Sequence, residues 1–514
     1  GKLVNIDGNE VTAFLGIPYA EPPVGDQRFK RSVPKQSWSG VYDTTKKPPP
    51  CMQYSTKDFP WMTKSTPSED CLYLNVWVPG NMNFFELGFK SKPVLLWIYG
   101  GGFFSGSSEL DIYNGATLAA VGKVIVVTVN YRLGSFGFLT SGTPEAPGNM
   151  GMHDQYLAMD WVKNNIKYFK GDPDMITLFG ESVGGVSAGL HLISPLSRNL
   201  FRRAIMESGA PYHPLAAGNQ SVMVYVSNLF ATAAGCANDT VTIFTDSKKV
   251  IDCLRKTDSR QLATVESSLL EKVPYFFLPI YGDDLFPVDA ITAMDKGDFK
   301  HTEVLIGNNL DEGAVLLHYI SPGIFGSQHA SQLDKQQAAA VITGLFQNST
   351  NPPPQVVSEF YLNDISDTDS STIIKAVVDS YGDFIINCPS VLFAEKFSKG
   401  GEAFYYQFTH RSSNSPWGKW KKACDFWRNY FVPSMGATHF EEVPFVFGDP
   451  VRNSSQYTAE EVTFSRTVMK IWTTFARTGV PTVPKTEGWP KFTESRRLYL
   501  ELNPKRLRIG EGPH

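Results

Sequence analysis

The stretch Met175-Ile-Thr-Leu-Phe-Gly-Glu-Ser-Val-Gly-Gly185 decides the reading of this chain. An apolar run of strand type passes through a Gly-x-Ser-x-Gly corner into small residues and a helix expected over Val186–Ile193. Ser182 is thereby placed at a strand-to-helix turn, where a hydroxyl projects into a cleft and can be activated by a neighbouring base. Gly180 and Gly184 stand where a side chain would crowd so sharp a corner, and Gly185 lets the helix pack closely. The pentapeptide alone is weak evidence, because so short a pattern recurs by chance, and the flanking sequence has to decide.

Upstream, Cys71–Val78 and Pro93–Tyr99 read as strands, the second so apolar that both its faces must be covered. It ends at Gly100-Gly101-Gly102, where no Cβ hides the backbone N–H groups and a negatively charged oxygen could be held. Val124–Asn130 is another core strand, and Asp154–Tyr168 carries helical spacing through Tyr156, Met159, Val162 and Ile166. Asn5–Tyr19 suggests small antiparallel strands, and Arg203–Ser208 and Glu303–Gly307 are further core-strand candidates. Strand, helix, strand, nucleophile turn, helix is the order expected of an α/β protein with a mostly parallel sheet covered on both faces.

At 514 residues the length alone suggests about three domains. No linker, repeat or low-complexity tract divides the chain, so one domain over residues 1–514 is expected. A net charge of −4 gives no basic footprint for nucleic acid, and no apolar run approaches the length of a bilayer span. Six cysteines lack the Cys-x-x-Cys spacing of a zinc site: Cys51 and Cys71 bracket one polar loop, Cys236 and Cys253 bracket another, and Cys388 and Cys424 are left over. Four sequons, at Asn219, Asn238, Asn348 and Asn453, lie in polar loop-like surroundings. Together with the even cysteine count they favour a secreted or extracellular glycoprotein.

Two more positions complete a possible relay. Asp311 and Glu312 follow the strand expected at Glu303–Gly307, where either acid could reach a histidine ring. His439 falls in the loop-like Met435-Gly-Ala-Thr-His-Phe440, suited to a base that must serve two partners.

With these residues in view the chain resembles the carboxylesterase/cholinesterase family, most closely its acetylcholinesterase-like branch. The likeness is carried by Glu69-Asp-Cys-Leu-Tyr-Leu-Asn75, Tyr99-Gly-Gly-Gly-Phe103, Asn130-Tyr-Arg-Leu-Gly134, Gly180-Glu-Ser-Val-Gly-Gly185, Asp311-Glu-Gly313 and Phe445-Val-Phe-Gly448, in the family's order. The resemblance implies an α/β-hydrolase fold, Ser182 as nucleophile, His439 as base and Glu312 as acid, with Gly101, Gly102 and Val183 supplying oxyanion N–H groups. Neither a metal nor an organic cofactor is implied. Valine at 183 replaces the family's usual alanine, but the donor there is backbone.

The same resemblance speaks to substrate. Trp61, in the first cysteine loop, looks like the tryptophan over which cholinesterases hold a quaternary ammonium, and Glu181 would add negative charge with Tyr113 as its hydrogen-bond partner. Departures point to a wider site: Val315 and Leu316 stand where cholinesterases carry gorge aromatics, with Tyr319 kept, and Leu215 replaces an acyl-pocket tryptophan. Val273-Pro-Tyr-Phe-Phe277 is the expected source of other acyl-pocket residues. The segment Lys421–Val432 resembles one that cholinesterases carry near their C-terminus, yet here it precedes His439; by that likeness Cys424 would pair with Cys388. The expectation is a serine esterase acting on a small-molecule ester, of cholinesterase type, with a broad carboxylesterase for neutral esters as the alternative and a non-catalytic adhesion or binding protein of the same fold as the second. A homodimer, and attachment through a C-terminal signal, stay open.

Overall fold

A computed structural model describes the chain except residues 55–62, 83–89, 271–276, 322–332, 348–351, 420–434, 484–487 and 513–514. Its strands are β1 (Lys2–Ile6), β2 (Asn9–Pro18), β3 (Tyr73–Pro79), β4 (Lys92–Ile98), β5 (Ile125–Val129), β6 (Thr140–Thr143), β7 (Ala146–Pro147), β8 (Gly171–Glu181), β9 (Arg203–Glu207), β10 (Glu303–Asn309), β11 (Glu402–Phe408), β12 (Leu498–Asn503) and β13 (Arg506–Glu511). Eleven of them form one sheet in the order β1-β2-β3-β5-β4-β8-β9-β10-β11-β12-β13, while β6 and β7 make a small separate pair. From β5 through β12 all neighbours run parallel; the two margins are antiparallel.

Sequence pattern follows position in the sheet. The five residues of β5 are all buried, as are all but the first of β4, because helices cover both faces of the parallel centre. At the edges β1 and β13 lie largely in solvent, which matches their mixed polar and apolar composition. The crossover between β5 and β8 is the helix Met150–Asn165, which begins earlier than its spacing suggests. Its first turn, Met150 to His153, is buried throughout, so no exposed face marks its start. The helix Ala459–Thr478 opens with a reciprocal Thr458/Glu461 cap, closes on Gly479 at φ 81°, and packs against β4 and β8.

Two disulfides, Cys51–Cys71 and Cys236–Cys253, close the loops those residues bracket. Cys388 is exposed with a free thiol; Cys424, its partner by resemblance, lies outside the described residues. Arg132 and Asp154 meet at 2.8 Å with both side chains almost fully enclosed, and Arg28 clasps Glu69 while donating to the carbonyls of Leu254 and Thr257.

Candidate active site

Strand β8 leads directly into Ser182, whose φ of 58° and ψ of −130° form a strained corner before the helix Val183–Ile193. Such a conformation persists only where the surroundings enforce it. Here the Ser182 N–H donates to the Glu207 carbonyl at 2.8 Å and the Ser182 carbonyl accepts from Val186 N–H at 2.9 Å. A Cβ on Gly184 would sit 2.0 Å from the Ile98 carbonyl oxygen, and one on Gly180 2.5 Å from the Gly184 backbone. Gly209 makes the same demand from β9's side, since its Cβ would stand 2.0 Å from the Ser182 carbonyl oxygen; sequence reading passed over it, although it lies directly after β9.

At the end of β4, Gly101 and Gly102 adopt φ of 107° and 65°. A Cβ on Gly101 would meet the Ser105 carbonyl at 2.4 Å, and one on Gly102 the Phe104 ring at the same distance. The Gly101 carbonyl is turned away into hydrogen bonds from Phe104 and Ser105. Among the described residues the N–H groups of Gly101, Gly102 and Val183 donate to no other residue, and all three positions line the cavity that Ser182 enters.

The acid and the histidine are brought together by two loops sewn edge to edge. Asp311 N–H donates to the Ala437 carbonyl, Ala437 N–H donates to the Asp311 carboxylate, and Val315 N–H donates to Thr438 Oγ1. Asp311 is thereby spent on backbone and on Lys375, leaving Glu312 as the acid at the ring, with Oε2 2.6 Å from His439 Nδ1. The other Glu312 oxygen accepts from Ser208 Oγ at 2.5 Å and from Asn309 N–H at 2.7 Å, so the carboxylate is fixed at both ends. Ser208 carried no signal in the sequence beyond its place after β9; its φ of 52° is a second strained residue at this site.

On its other side the imidazole faces a second carboxylate. His439 Nε2 lies 3.0 Å from Glu181 Oε1, off the line of a hydrogen bond, and the Ser182 hydroxyl makes no hydrogen bond among the described residues. Burial alone would depress the basicity of His439, but Glu181 and Glu312 outweigh it and hold its pKa up to about 9. Burial pushes Glu181 up to about 8 and Glu442 to about 7 and raises Glu207 further, each reinforced by its acidic neighbours. With Glu181 and Glu312 beside it, His439 therefore keeps its own proton more firmly than an isolated histidine would.

The cavity itself offers about 70 Å³ to the centres of water-sized molecules. Ser182, His439, Glu181, Tyr113, Leu215, Val315 and Leu316 all line it, together with Phe104, His213, Ile385, Ile386 and Phe440. Ile385 and Ile386 lie in a π-helical turn, Asp383–Asn387, that no sequence pattern announced. Tyr113 does not hydrogen-bond Glu181 as expected: its ring is locked among Trp97, Phe440 and Phe447, and it is His439 that approaches the carboxylate. Trp61 and residues 273–276 lie outside the described residues, as does the side chain of Tyr319, whose backbone belongs to the helix Gly313–Ile320.

Comparison with known proteins agrees with this geometry. The model of the carboxylesterase family matches residues 1–513. The chain belongs to the carboxylesterase family. Among curated relatives, acetylcholinesterase-1 of Trittame loki is 38% identical over 512 residues, covering 98% of this chain and 88% of that protein. An acetylcholinesterase of Bungarus fasciatus is 38% identical over 520 residues, 98% of this chain and 81% of its own length. The cholinesterase of Mus musculus is 37% identical over 529 residues, 99% and 82% respectively. This carboxylesterase thus has the α/β-hydrolase fold and is a serine carboxylic-ester hydrolase whose substrates are small esters.

One cluster away from the cavity has metal-ligand chemistry: donor atoms of His153, Asp283 and Asp284 lie within 4.8 Å of one another. Arg31 already pairs with Asp284, and Asp283 accepts from Asn149 and from two backbone N–H groups, so both carboxylates are engaged in an ion-paired loop anchor. Of the sequons, Asn219 and Asn238 are exposed. Asn453 is half-buried and donates through Nδ2 to Asp449 at 2.7 Å. Asn348 lies outside the described residues. No helix among those residues is long and apolar enough to cross a membrane.

Proposed function

We propose that this carboxylesterase hydrolyses choline-type esters, with Ser182 as nucleophile, His439 as general base and Glu312 as the acid that orients it. The observation that carries the triad is the 2.6 Å contact between His439 Nδ1 and a Glu312 carboxylate clamped at its other oxygen, with the histidine opening into the cavity that Ser182 enters. His439 takes the Ser182 proton as the hydroxyl attacks the ester carbonyl, and Glu312 stabilises the imidazolium that forms. For that step Nε2 turns from Glu181 to Ser182. The oxygen that becomes negative is held by the N–H groups of Gly101, Gly102 and Val183, each worth roughly 10²–10³ in rate because it is aimed at charge that develops only in the transition state. The alcohol leaves with the proton from His439, and water then repeats the cycle on the acyl-enzyme.

A choline headgroup is favoured by Glu181 on the wall, by Tyr113, Phe104 and Phe440 around it, and by the lack of any Lys or Arg among the described residues lining the cavity. Trp61 is proposed, from the resemblance, as a further cation-binding face. The aliphatic wall of Leu215, Val315, Leu316, Ile385 and Ile386 supports the second reading, a broad esterase accepting neutral esters and acyl groups larger than acetyl. Two disulfides fit an oxidising, extracellular setting.

The deciding experiment compares acetylthiocholine, butyrylthiocholine and a neutral aryl ester on the native enzyme and on Trp61→Ala. Loss of choline preference in the variant supports the cholinesterase reading; an unchanged ratio leaves only the broad esterase. In parallel, Ser182→Ala must abolish organophosphate labelling, and labelling at another serine would overturn the triad.

A further inference from the structure

A second histidine looks into the cavity and has no part in the relay. His213 is held in the turn after β9, its N–H donating to the Ala210 carbonyl and its carbonyl accepting from Ala216, so the ring stands on a fixed backbone. Its Nδ1 accepts the Leu215 N–H at 3.0 Å. Accepting there requires a lone pair on Nδ1, which leaves the ring proton on Nε2. Burial, with His439 nearby, lowers the pKa of His213 to about 3, so this tautomer stays neutral at any working pH. Nε2 has no partner among the described residues and is not sealed off, while the residue lines the cavity beside Leu215. A rigid, neutral N–H donor is thus set into an otherwise aliphatic wall.

We propose that His213 is a specificity-determining residue that donates a hydrogen bond from Nε2 to an acceptor oxygen carried in the acyl chain of the ester, so that the preferred acids are oxygenated ones such as alkoxy- or oxo-acids. The proposal rests on the serine-esterase reading, which places Leu215 and its turn on the acyl side. A plain alkyl chain leaves the N–H desolvated and unpaired, whereas an ether or keto oxygen satisfies it.

The test uses two isosteric pairs: p-nitrophenyl methoxyacetate against p-nitrophenyl butyrate, with the acceptor in the acyl group, and 2-methoxyethyl acetate against butyl acetate, with it in the alcohol. After division by the ratio of their uncatalysed hydrolysis rates, the native enzyme should favour methoxyacetate over butyrate in kcat/KM by roughly 3- to 10-fold. His213→Leu should abolish that preference, His213→Gln should restore part of it, and the alcohol-side ratio should not move. No corrected preference in the native enzyme overturns the proposal without recourse to any variant; so does an unchanged acyl ratio in His213→Leu, or a change confined to the alcohol pair. Organophosphate labelling of Ser182 is run alongside, so that failure of the esterase reading shows as lost labelling and failure of the His213 role as labelling without discrimination.

Discussion

Replacing Glu181 by glutamine removes a charge from the imidazole while keeping the shape of the side chain. In the native enzyme His439 lies between Glu312 at 2.6 Å and Glu181 at 3.0 Å, and its pKa is held up to about 9. A base held up in this way is mostly protonated near neutral pH. One opposite charge at such range contributes roughly one to three pH units. Losing it lowers the histidine pKa, and each pH unit lost makes the neutral base about tenfold more abundant near neutrality. A group needed as a base loses activity as pH falls through its pKa, so the acid limb of the profile must move to lower pH in Glu181→Gln. The assay is kcat/KM against pH on p-nitrophenyl butyrate, a neutral ester chosen so that attraction between substrate and carboxylate does not enter. Acetylthiocholine should respond in the opposite sense on the alkaline plateau, its kcat/KM falling because a cation has lost an anionic neighbour. An acid limb that stays in place, or moves to higher pH, would refute the view that Glu181 holds the histidine proton.

Glu312→Gln should lower kcat by about 10³–10⁴ with KM little changed, since the ring loses both the charge that stabilises its protonated form and the group that sets its tautomer; steady-state kinetics on the neutral ester reads this directly. Gly209→Ala places a Cβ 2.0 Å from the Ser182 carbonyl oxygen, a backbone atom that cannot swing away. It should cost about 3 kcal/mol or more in denaturant unfolding, whereas Gly344→Ala, in a helix with open space around it, should gain about 0.5–1 kcal/mol. Removing the Cys236–Cys253 disulfide, which spans 17 residues, should destabilise by about 3 kcal/mol through the freed unfolded chain, measured as a lower unfolding midpoint in the double Cys→Ala variant.

The central sheet was readable from sequence because its strands are continuous apolar runs bounded by glycines: β4, β5 and β8 fall within a residue or two of their expected ends, apart from the extended start of β8 at Gly171. Strands β11 to β13 were not expected from sequence, although Gly400-Gly401 stand directly before β11. Motif spacing brought Ser182, Glu312 and His439 into view together, but it could not choose between Asp311 and Glu312 without the family likeness. The structure separates them by hydrogen bonding: Asp311 is consumed by Ala437 N–H and Lys375. Ser208, Gly209 and His213 escaped notice for one reason. They act through the path of a turn after β9, and a turn leaves no periodicity in sequence.

The floor of the site gathers four carboxyl groups, Glu181, Glu207, Glu312 and Glu442, all buried. Four carboxylates cannot all be ionised so far from water. Burial and mutual repulsion raise Glu207 and Glu442, and their remaining bonds, from Trp472 Nε1 and Asn309 Nδ2, fix where they sit. The arrangement concentrates negative charge at the imidazole, where it stabilises the imidazolium formed as Ser182 is deprotonated. The strained corner at Ser182, which costs on the order of 1–3 kcal/mol, is held by its backbone hydrogen bonds to Glu207 and Val186. The Glu207 carbonyl that receives the Ser182 N–H belongs to the same residue whose side chain bonds the long helix Ala459–Thr478, so the corner is tied through one residue to the packing beneath the sheet.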